Sequence, residues 1–204
     1  MTRATPGARG VDTRARIQDA ADRLFARQGY AGTGLKQLAA EAQAPFGSIY
    51  HFFPGGKDDL AEDMIRRSGQ PYLALTLAVL DAALEQGTDP AAAVLVAFAT
   101  AGERLAASDY ADACPVATMA LDVASTHDRL RQATADVFSE WHAGATAWFE
   151  SRAGVGPDAA DDLARAFVML LEGAFLLSRA ARSTDPMEAA GRSMATLVRS
   201  AQAG

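Results

Sequence analysis

The sequence predicts an all-α protein with about nine helices. Apolar residues recur every three or four positions along most of the chain, the spacing that places them on one face of a helix. No stretch alternates apolar and polar residues between turn dipeptides, and β-branched residues are outnumbered by Ala and Leu, so strands are not expected. Proline also stands repeatedly at positions where the first turn of a helix would begin, which it favours.

The first helix is expected to begin at Asp12 and to end at Gly29. Glycine readily adopts the left-handed conformation that terminates many helices. The residues between these two positions form an apolar stripe at helical spacing, consisting of Ile17, Ala20, Ala21, Leu24 and Phe25.

Two short helices and one long helix should follow. Thr33 can cap the first short helix with its hydroxyl, and Pro45 stands at a first-turn position of the second. The Pro-Gly-Gly run at residues 54–56 breaks the pattern, and Lys57 opens a long helix. We expect Pro71 to kink this helix because proline removes one of its hydrogen bonds.

Dipeptides that end in proline mark the starts of four later helices: Asp89-Pro90, Cys114-Pro115, Gly156-Pro157 and Asp185-Pro186. Another helix is expected to start near Ser125 or Thr126, since apolar residues recur at helical spacing from Leu130 to Trp148.

Composition excludes several kinds of site. The 204 residues contain one Cys, which allows neither an intramolecular disulfide nor a four-ligand Cys/His zinc site. No apolar run approaches the ~18 residues that a membrane-spanning helix needs, and no apolar segment follows the N-terminal arginines as in a signal peptide. We therefore expect a cytoplasmic protein without a metal, a cofactor or a membrane partner.

Charge is distributed unevenly along the chain, whose formal net charge is −6. Residues 1–57 contain eight basic and four acidic residues, a balance of +4, which leaves −10 for residues 58–204. A small basic segment is suited to contact with a polyanion, whereas the acidic remainder would be repelled by phosphate. Chance fluctuation in a short window is the alternative explanation.

Residues 33–51 have the layout of a helix-turn-helix, a unit that places its second helix in a major groove. The residues expected to face inward are Leu35, Leu38, Ala39, Ala42, Ile49 and Phe52. Those expected to face outward on the second helix are Pro45, Phe46, Ser48, Tyr50 and His51.

Residues 34–60, GLKQLAAEAQAPFGSIYHFFPGGKDDL, resemble the DNA-binding signature of the TetR (tetracycline repressor) family of transcriptional regulators. The likeness extends from residue 12 to about residue 65 and includes Gly29-Tyr30, Thr33 and the Gly47-Ser48-Ile49-Tyr50 run. The Pro-Gly-Gly-Lys sequence, together with the later Cys114-Pro115, resembles the LmrA/YxaF-like branch of this family.

This resemblance implies a homodimer in which each subunit offers one recognition helix to half of a near-palindromic double-stranded operator. It also implies a variable helical C-terminal domain that dimerises and binds a small-molecule effector, which releases the repressor from DNA. Carried over by position, Thr33, Tyr50 and Lys57 match the family's phosphate contacts, and Phe46, Ser48 and His51 match positions that face base edges.

Lys36, Pro45 and Gly47 complete the set of candidate DNA-binding residues. Many family members have Gly in the turn and a basic or polar residue before Gly47, where this chain has Gln43 and Phe46. One charged contact is thus missing, and Arg3, Arg9, Arg14 and Lys36 could compensate, the tail arginines by entering a minor groove.

Bulky apolar residues and a few polar ones in the C-terminal part could line an effector pocket. The candidates are Phe98, Cys114, Thr118, Met119, Trp141, His142, Trp148, Met169 and Glu172. For each, packing in the core is the alternative. Cys114 before a helix could also act as a redox sensor, although no second Cys is available to form a disulfide.

The last two helices carry an apolar stripe that is broad enough to form a dimer interface. Its members are Phe167, Leu171, Ala174, Phe175, Ser178, Met194, Leu197 and Val198. The alternative is that this stripe only closes the core of the monomer.

The sequence thus predicts a flexible basic tail at residues 1–11, a helix-turn-helix DNA-binding domain at residues 12–56 and a regulatory domain at residues 57–204. A ligand-responsive repressor is the favoured function. The alternatives are a protein-interaction module, an activator without a small-molecule ligand, and a helical enzyme that uses carboxylates with His127 or His142. The enzyme is disfavoured because no catalytic triad, metal-ligand set or phosphate-binding loop is found, so no catalytic residue is assigned.

Overall fold

The computed structural model describes residues 6–112 and 114–203, and it describes side chains from Asp12 onward. These residues form nine α-helices and no strand, which confirms the predicted fold class. The helices are α1 (Pro6–Gly32), α2 (Leu35–Glu41), α3 (Phe46–Phe52), α4 (Lys57–Glu85), α5 (Pro90–Ala107), α6 (Pro115–Val123), α7 (Asp128–Trp148), α8 (Pro157–Ala181) and α9 (Asp185–Ala203). A π-helical turn, Phe149–Ala153, follows α7.

The first helix is longer than the sequence predicts. It begins at Pro6 rather than Asp12, so residues 6–11 of the expected tail are helical, while Arg3 and the side chain of Arg9 lie outside the described residues. The expected stop at Gly29 is present, because Gly29 has φ 70° and ψ −174° and interrupts the helical backbone. The long helix α4 continues through Pro71 to Glu85.

The chain divides into two compact units. The first consists of the residues up to Ser68 together with Pro115–Ala135, and within it α1 packs against α2, α3 and α6. Its core is formed by large side chains that are fully or almost fully buried, among them Ile17, Phe25, Leu38, Ile49, Leu60, Met64, Met119 and Leu130. Removing each such side chain from water contributes about 1.5–3 kcal/mol to folding.

The second unit consists of Gly69–Cys114 and the residues from Asp136 onward, and within it α5 packs against α8 and α9. A Cβ atom at Gly191 of α9 would lie 2.9 Å from the Cβ of Phe98 on α5. The two helices can approach this closely only because residue 191 is a glycine.

The division into units differs from the predicted domain boundary after residue 56. The boundaries along the chain fall within α4, after Ser68, and within α7, after Ala135, and α6 belongs to the first unit. The physical reason is the apolar face of α6, whose Val116, Met119 and Val123 are buried in the core of the first unit.

Helix α5 has a mean hydropathy of 1.2 over its 18 residues and is, by length and composition alone, apolar enough to cross a membrane. Seven of its residues, among them Val94, Phe98 and Leu105, are buried in the second unit. Core helices of soluble proteins commonly share this composition, so the hydropathy is accounted for by packing.

Candidate functional site

The turn between α2 and α3 has a left-handed residue that is not glycine. Gln43 has φ 48°, and the chain around it is fixed by backbone hydrogen bonds from Gln43 N–H to Ala40 O (3.1 Å) and from Ala44 N–H to Ala39 O (3.0 Å). A side chain in this conformation costs about 1–2 kcal/mol, which glycine would not incur. The helix-turn-helix therefore forms with Gln43 in place of the usual glycine, and the backbone at Gln43 is strained.

Helix α3 is held to its unit by Ile49, the one residue of this helix that is fully buried. Pro45 is the N-cap residue that precedes the helix, rather than part of its first turn. Of the other residues expected to face inward, Leu38, Ala39 and Ala42 are buried, and Leu35 and Phe52 are half-buried. The predicted inner face of the motif is thus largely confirmed.

The outer face of α3 is aromatic and polar. Phe46 is 45% exposed and Tyr50 is 48% exposed, and their ring centroids lie 5.8 Å apart in an edge-to-face arrangement. His51 is exposed and Ser48 is half-buried. Apart from the chain neighbours of Gly47 and the backbone of its own helix, no described atom lies within 4 Å of the position that a Cβ atom would take there, so another molecule could approach the backbone closely.

Thr33 does not have the predicted role. Its side chain is 1% exposed, and its hydroxyl donates to the carbonyl oxygen of Gly29 (2.8 Å). The N-cap of α2 is Gly34, which has no side-chain cap hydrogen bond. Thr33 therefore stabilises the end of α1 and is too deeply buried to meet a phosphate group.

Lys57, at the first position of α4, is half-buried against the end of α1. Its ammonium group lies 4.2 Å from the ring centroid of Tyr30, a cation–π contact. Burial lowers the pKa of Lys57, while the nearby carboxylates of Asp122 and Asp58 act in the opposite direction. The expected phosphate ligand is thus engaged within its own subunit.

A hydrogen-bonded cluster surrounds this contact. The Tyr30 hydroxyl donates to Asp58, and Nε2 of His127 lies 3.1 Å from the other oxygen of the same carboxylate. Burial and the Asp58 carboxylate together raise the pKa of Tyr30 to about 12, and the Tyr30 hydrogen bond is the main cause that lowers the pKa of Asp58. Asp122 of α6 accepts the backbone N–H of Ala31 (2.6 Å). The cluster thereby fixes the end of α1 to α4, to α6 and to His127, the residue before α7, within the first unit.

Two further basic residues occupy different positions. Lys36 is exposed on α2. The guanidinium carbon of Arg14 lies 5.6 Å from the ring centroid of Phe53, and Nη2 of Arg14 lies 3.9 Å from a carboxylate oxygen of Asp63. Lys36 is therefore the better placed of the two to meet an external anion.

The second unit contains a cavity of about 310 Å³ between α4, α5 and α8. Its apolar lining is Leu75, Val79, Ala97, Ala101, Leu105, Phe167, Leu171 and Phe175. Its polar lining is Tyr72, Thr76, Thr100, Arg104, Ser108 and Asp112. A mostly apolar cavity with a few polar groups suits a small organic ligand.

A small recess adjoins this cavity, and the two share Tyr72, Thr76, Phe167 and Leu171 as walls. The recess is also lined by Trp141 and Glu172. Burial raises the pKa of Glu172 to about 7, and a hydrogen bond with the buried thiol of Cys114 partly opposes this rise. The carboxyl group of Glu172 is therefore close to its titration midpoint near neutral pH.

The structure brings together three of the predicted pocket residues, namely Trp141 and Glu172 in the recess and Cys114 beside them. Phe98 is fully buried in the core, and Met169 is 67% exposed on α8. Thr118 and Met119 lie on α6 in the first unit.

Two other predicted pocket residues have partners elsewhere in the second unit. Nε1 of Trp148 donates to Asp81 (3.0 Å), and Nε2 of His142 lies 3.0 Å from Asp161. Neither is among the residues that line the cavity or the recess. The sequence also missed the lining residues Thr100 and Arg104 of α5 and its C-cap residue Ser108, although the three are spaced four apart on a mostly apolar helix.

Seven of the eight residues predicted for the dimer interface are buried within one chain. Each of the seven is at most 8% exposed, as expected for a stripe that closes the monomer's own core; they are Phe167, Leu171, Ala174, Phe175, Ser178, Met194 and Val198. Leu197 alone of the set is exposed, at 42%. The exposed apolar face of α8 and α9 consists of other residues, chiefly Met169, Leu176 and Leu177, which join Leu197.

Among the residues that the structure describes, no group of three or more His, Cys, Asp or Glu side chains could hold a metal ion. The candidate sites of this chain are therefore the outer face of α3 and the cavity of the second unit.

Two family models match the chain. Residues 17–64 match bacterial regulatory proteins of the tetR family, and residues 90–193 match the C-terminal domain of LmrA/YxaF-like transcriptional regulators.

Full-length relatives agree with both matches. The HTH-type transcriptional regulator LmrA of Bacillus subtilis is 31% identical over 178 residues, which cover 86% of this chain and 91% of LmrA. The regulator YxaF of the same organism, described as uncharacterized, is 29% identical over 189 residues, which cover 92% and 96% of the two chains. The crystal structure of the regulatory protein TetR from Rhodobacter sphaeroides has the same fold, with a TM-score of 0.79 at 22% identity, over 90% of this chain and 97% of that one.

Proposed function

The chain belongs to the TetR family of bacterial transcriptional regulators, in its LmrA/YxaF-like branch, and we propose that it is a repressor that a small-molecule effector releases from its operator. In this proposal the protein acts in the cytoplasm as a homodimer on a near-palindromic DNA site. The relatives that it matches are transcriptional regulators rather than enzymes.

The exposed face of α3 is the observation that carries the proposal. This helix keeps one residue in the core and exposes two aromatic rings and a histidine. Packing within the chain does not account for these exposed side chains, whereas contact with another molecule does. A major groove is about 12 Å wide and admits a single helix. His51 and Ser48 can form hydrogen bonds with base edges there, and the ring of Phe46 can contact a thymine methyl group.

Phosphate contacts would come from Tyr50, Lys36 and Lys57. Tyr50 and Lys36 are exposed and need no rearrangement, whereas Lys57 must exchange the ring of Tyr30 for a phosphate oxygen. The N-terminus of α4, where Lys57 stands, adds backbone N–H groups that also favour an anion. The balance of +4 over residues 1–57 supports the same orientation, with this end of the chain toward DNA.

Dimerisation is assigned to the exposed face of α8 and α9 rather than to the predicted residues. Met169, Leu176 and Leu177 are more than half exposed, and a shallow groove beside them is lined by Ala166, Leu170 and Leu197 among others. Contact between two copies of this face would bury these side chains around a two-fold axis, as a near-palindromic operator requires.

The cavity of the second unit is the proposed effector site. Helix α4 contributes Tyr72 to this cavity and Lys57 to the candidate DNA interface, so one helix carries groups of both sites. An effector that binds better to a conformation unsuited to the operator would shift the population away from DNA.

The recognition helix can be tested by measuring affinity for the DNA upstream of the protein's own gene by fluorescence anisotropy. We expect His51→Ala to change the preferred bases, whereas Gln37→Ala, which alters an exposed residue of α2, should leave the base preference unchanged. Equal base preference of the wild type and His51→Ala would remove His51 from the recognition surface. Binding that shows no preference for any upstream sequence would overturn the repressor proposal.

A further inference from the structure

We propose that the effector cavity selects apolar organic cations and that the carboxylate of Glu172 is the group that recognises their charge. This inference rests on the proposed function, because it names the chemical class of ligand that the same cavity would take. It depends on four features of the second unit: an isolated carboxylate, the aromatic walls around it, the exposed position of the opposite charge on Arg104 and the volume of the cavity.

The first feature is the isolation of Glu172. Both of its carboxylate oxygens are inaccessible to solvent, and apart from the thiol of Cys114 no described donor reaches them. A thiol is a weak donor and carries no positive charge. A buried carboxylate usually has a cation or several N–H groups as partners, because an unpaired buried charge is costly. A cationic ligand would supply the missing partner.

The second feature is the aromatic lining. The rings of Tyr72 and Trp141 are stacked with centroids 4.9 Å apart, and the centroid of Phe175 lies 6.2 Å from that of Tyr72. Nε1 of Trp141 donates to the carbonyl of Gly69 (2.7 Å), so this indole offers a ligand its ring and not its N–H. Aromatic faces attract organic cations and offer no such attraction to anions.

The third feature is the position of the opposite charge. Arg104 on α5 also lines the cavity, and an anionic ligand would have to be recognised by it. Arg104 is exposed, so water screens its charge, whereas the carboxylate of Glu172 is withdrawn from water. The attraction between a ligand charge and the buried carboxylate is therefore several times stronger than the attraction between a ligand charge and Arg104, and this difference favours a cationic ligand.

The volume limits the size of the ligand. The cavity of about 310 Å³ is at the small end of the range for ligand sites, so a compound with one or two rings fits. The wall between this volume and the recess of Glu172 consists of Tyr72, Thr76, Phe167 and Leu171. Tyr72 must move for the charged end of a ligand to reach the carboxylate.

Proton linkage gives the proposal a second readout. Two titratable groups face Glu172 from the neighbouring elements: the thiol of Cys114 and the hydroxyl of Tyr72. The charge of Arg104 opposes the rise in the pKa of Tyr72. From α7, the neighbour of Glu172 is Trp141, which does not ionise. Since the pKa of Glu172 is about 7, a permanent cation must displace a proton from it at lower pH. The affinity of the protein for such a cation should rise about tenfold between about pH 6 and about pH 8 and then level off.

The test is equilibrium dialysis of the full chain with three probes of similar size: benzyltrimethylammonium, its uncharged carbon analogue neopentylbenzene, and the anion phenylacetate. We expect the wild type to bind the cation at least about tenfold more tightly than either other probe at about pH 8. Glu172→Gln should abolish this preference. Glu140→Gln, which makes the same charge change at an exposed position of α7, should retain it.

Three outcomes would overturn the proposal: no binding of the cation by the wild type, equal binding of the cation and its carbon analogue, or tighter binding of phenylacetate. If Glu172→Gln fails to fold, the pH dependence of cation binding by the wild type decides, because a pH-independent affinity excludes the carboxylate. Operator release is measured separately in the same samples. A cation that binds through Glu172 without releasing DNA would refute the effector role and leave the cation site standing.

Discussion

The ammonium group of Lys57 lies 4.2 Å from the ring centroid of Tyr30, where α4 begins beside the end of α1. Asp58 accepts a hydrogen bond from the same tyrosine, and burial lowers the pKa of the lysine against the opposing charges of Asp122 and Asp58. The lysine that the sequence offers as a phosphate ligand therefore already contacts an aromatic ring and lies in the field of two carboxylates. DNA binding must compete with these internal contacts.

Replacing Lys57 with alanine should weaken binding to all DNA sequences by about three- to tenfold and should lower the salt dependence of binding by about one counterion per subunit. The reason is the loss of one phosphate contact that carries no base information. Anisotropy titrations at several salt concentrations measure both effects. Lys57→Ala with unchanged affinity and an unchanged salt slope would show that the lysine remains on Tyr30 in the complex.

Replacing Gln43 with glycine should stabilise the protein by up to about 1 kcal/mol, because glycine adopts the left-handed conformation at this position without strain. The matched control is Gln37→Gly, in the middle of α2, which should destabilise the protein by about 1 kcal/mol. Urea denaturation of both variants measures the free energy of unfolding. A loss of stability in Gln43→Gly would contradict the strain argument.

The stability of the protein should depend on the ionisation of Glu172. Its pKa is about 7 in the folded protein and close to 4.5 when the chain is unfolded, so the unfolded state releases its proton first as the pH rises. Folding is therefore penalised progressively between about pH 4.5 and about pH 7, and the penalty is constant above that range. Glu172→Gln removes the ionisable group and with it this penalty.

We expect Glu172→Gln to raise the free energy of unfolding by about 2–3 kcal/mol near pH 8 and by little near pH 4.5, which denaturation at the two pH values measures. Glu140→Gln, at an exposed site, is the control for the change in net charge. The same gain for Glu172→Gln at both pH values would show that the carboxyl group does not titrate in this range.

Replacing Leu177 with glutamate should dissociate the proposed dimer, because it places a charge in the middle of the proposed apolar contact. Leu121→Glu makes the same change at a leucine of α6 that is 73% exposed and lies outside this face. Light scattering after gel filtration distinguishes the two, with a monomer expected for the first variant and a dimer for the second. A dimeric Leu177→Glu variant would place the interface elsewhere.

The sequence predicted the local features of this fold well, because helix starts and stops depend on neighbouring residues. Helices α5, α6 and α8 begin at the proline that the sequence marked, and Gly29 interrupts α1 as expected. Thr33 shows where local reasoning fails, since its hydroxyl has a better partner in the carbonyl of Gly29 than in the first turn of α2.

The faces of α8 could not be assigned from sequence, because apolar residues surround this helix on several sides. Phe167, Leu171 and Phe175 turn to the core, whereas Met169 and Leu176 are exposed, and both sets have helical spacing. The cavity depends on three helices that meet in space, so the sequence alone does not place Tyr72 and Arg104 around the same volume.

The most direct test of an operator-specific, effector-released repressor is DNase footprinting on the DNA upstream of the protein's own gene and its neighbours. We expect one protected element with two-fold related half-sites about one helical turn apart, whose protection is lost at high salt and on addition of an effector. Protection spread along the DNA without a symmetric element, or protection unchanged by every ligand that stabilises the protein, would show that this chain is not such a repressor.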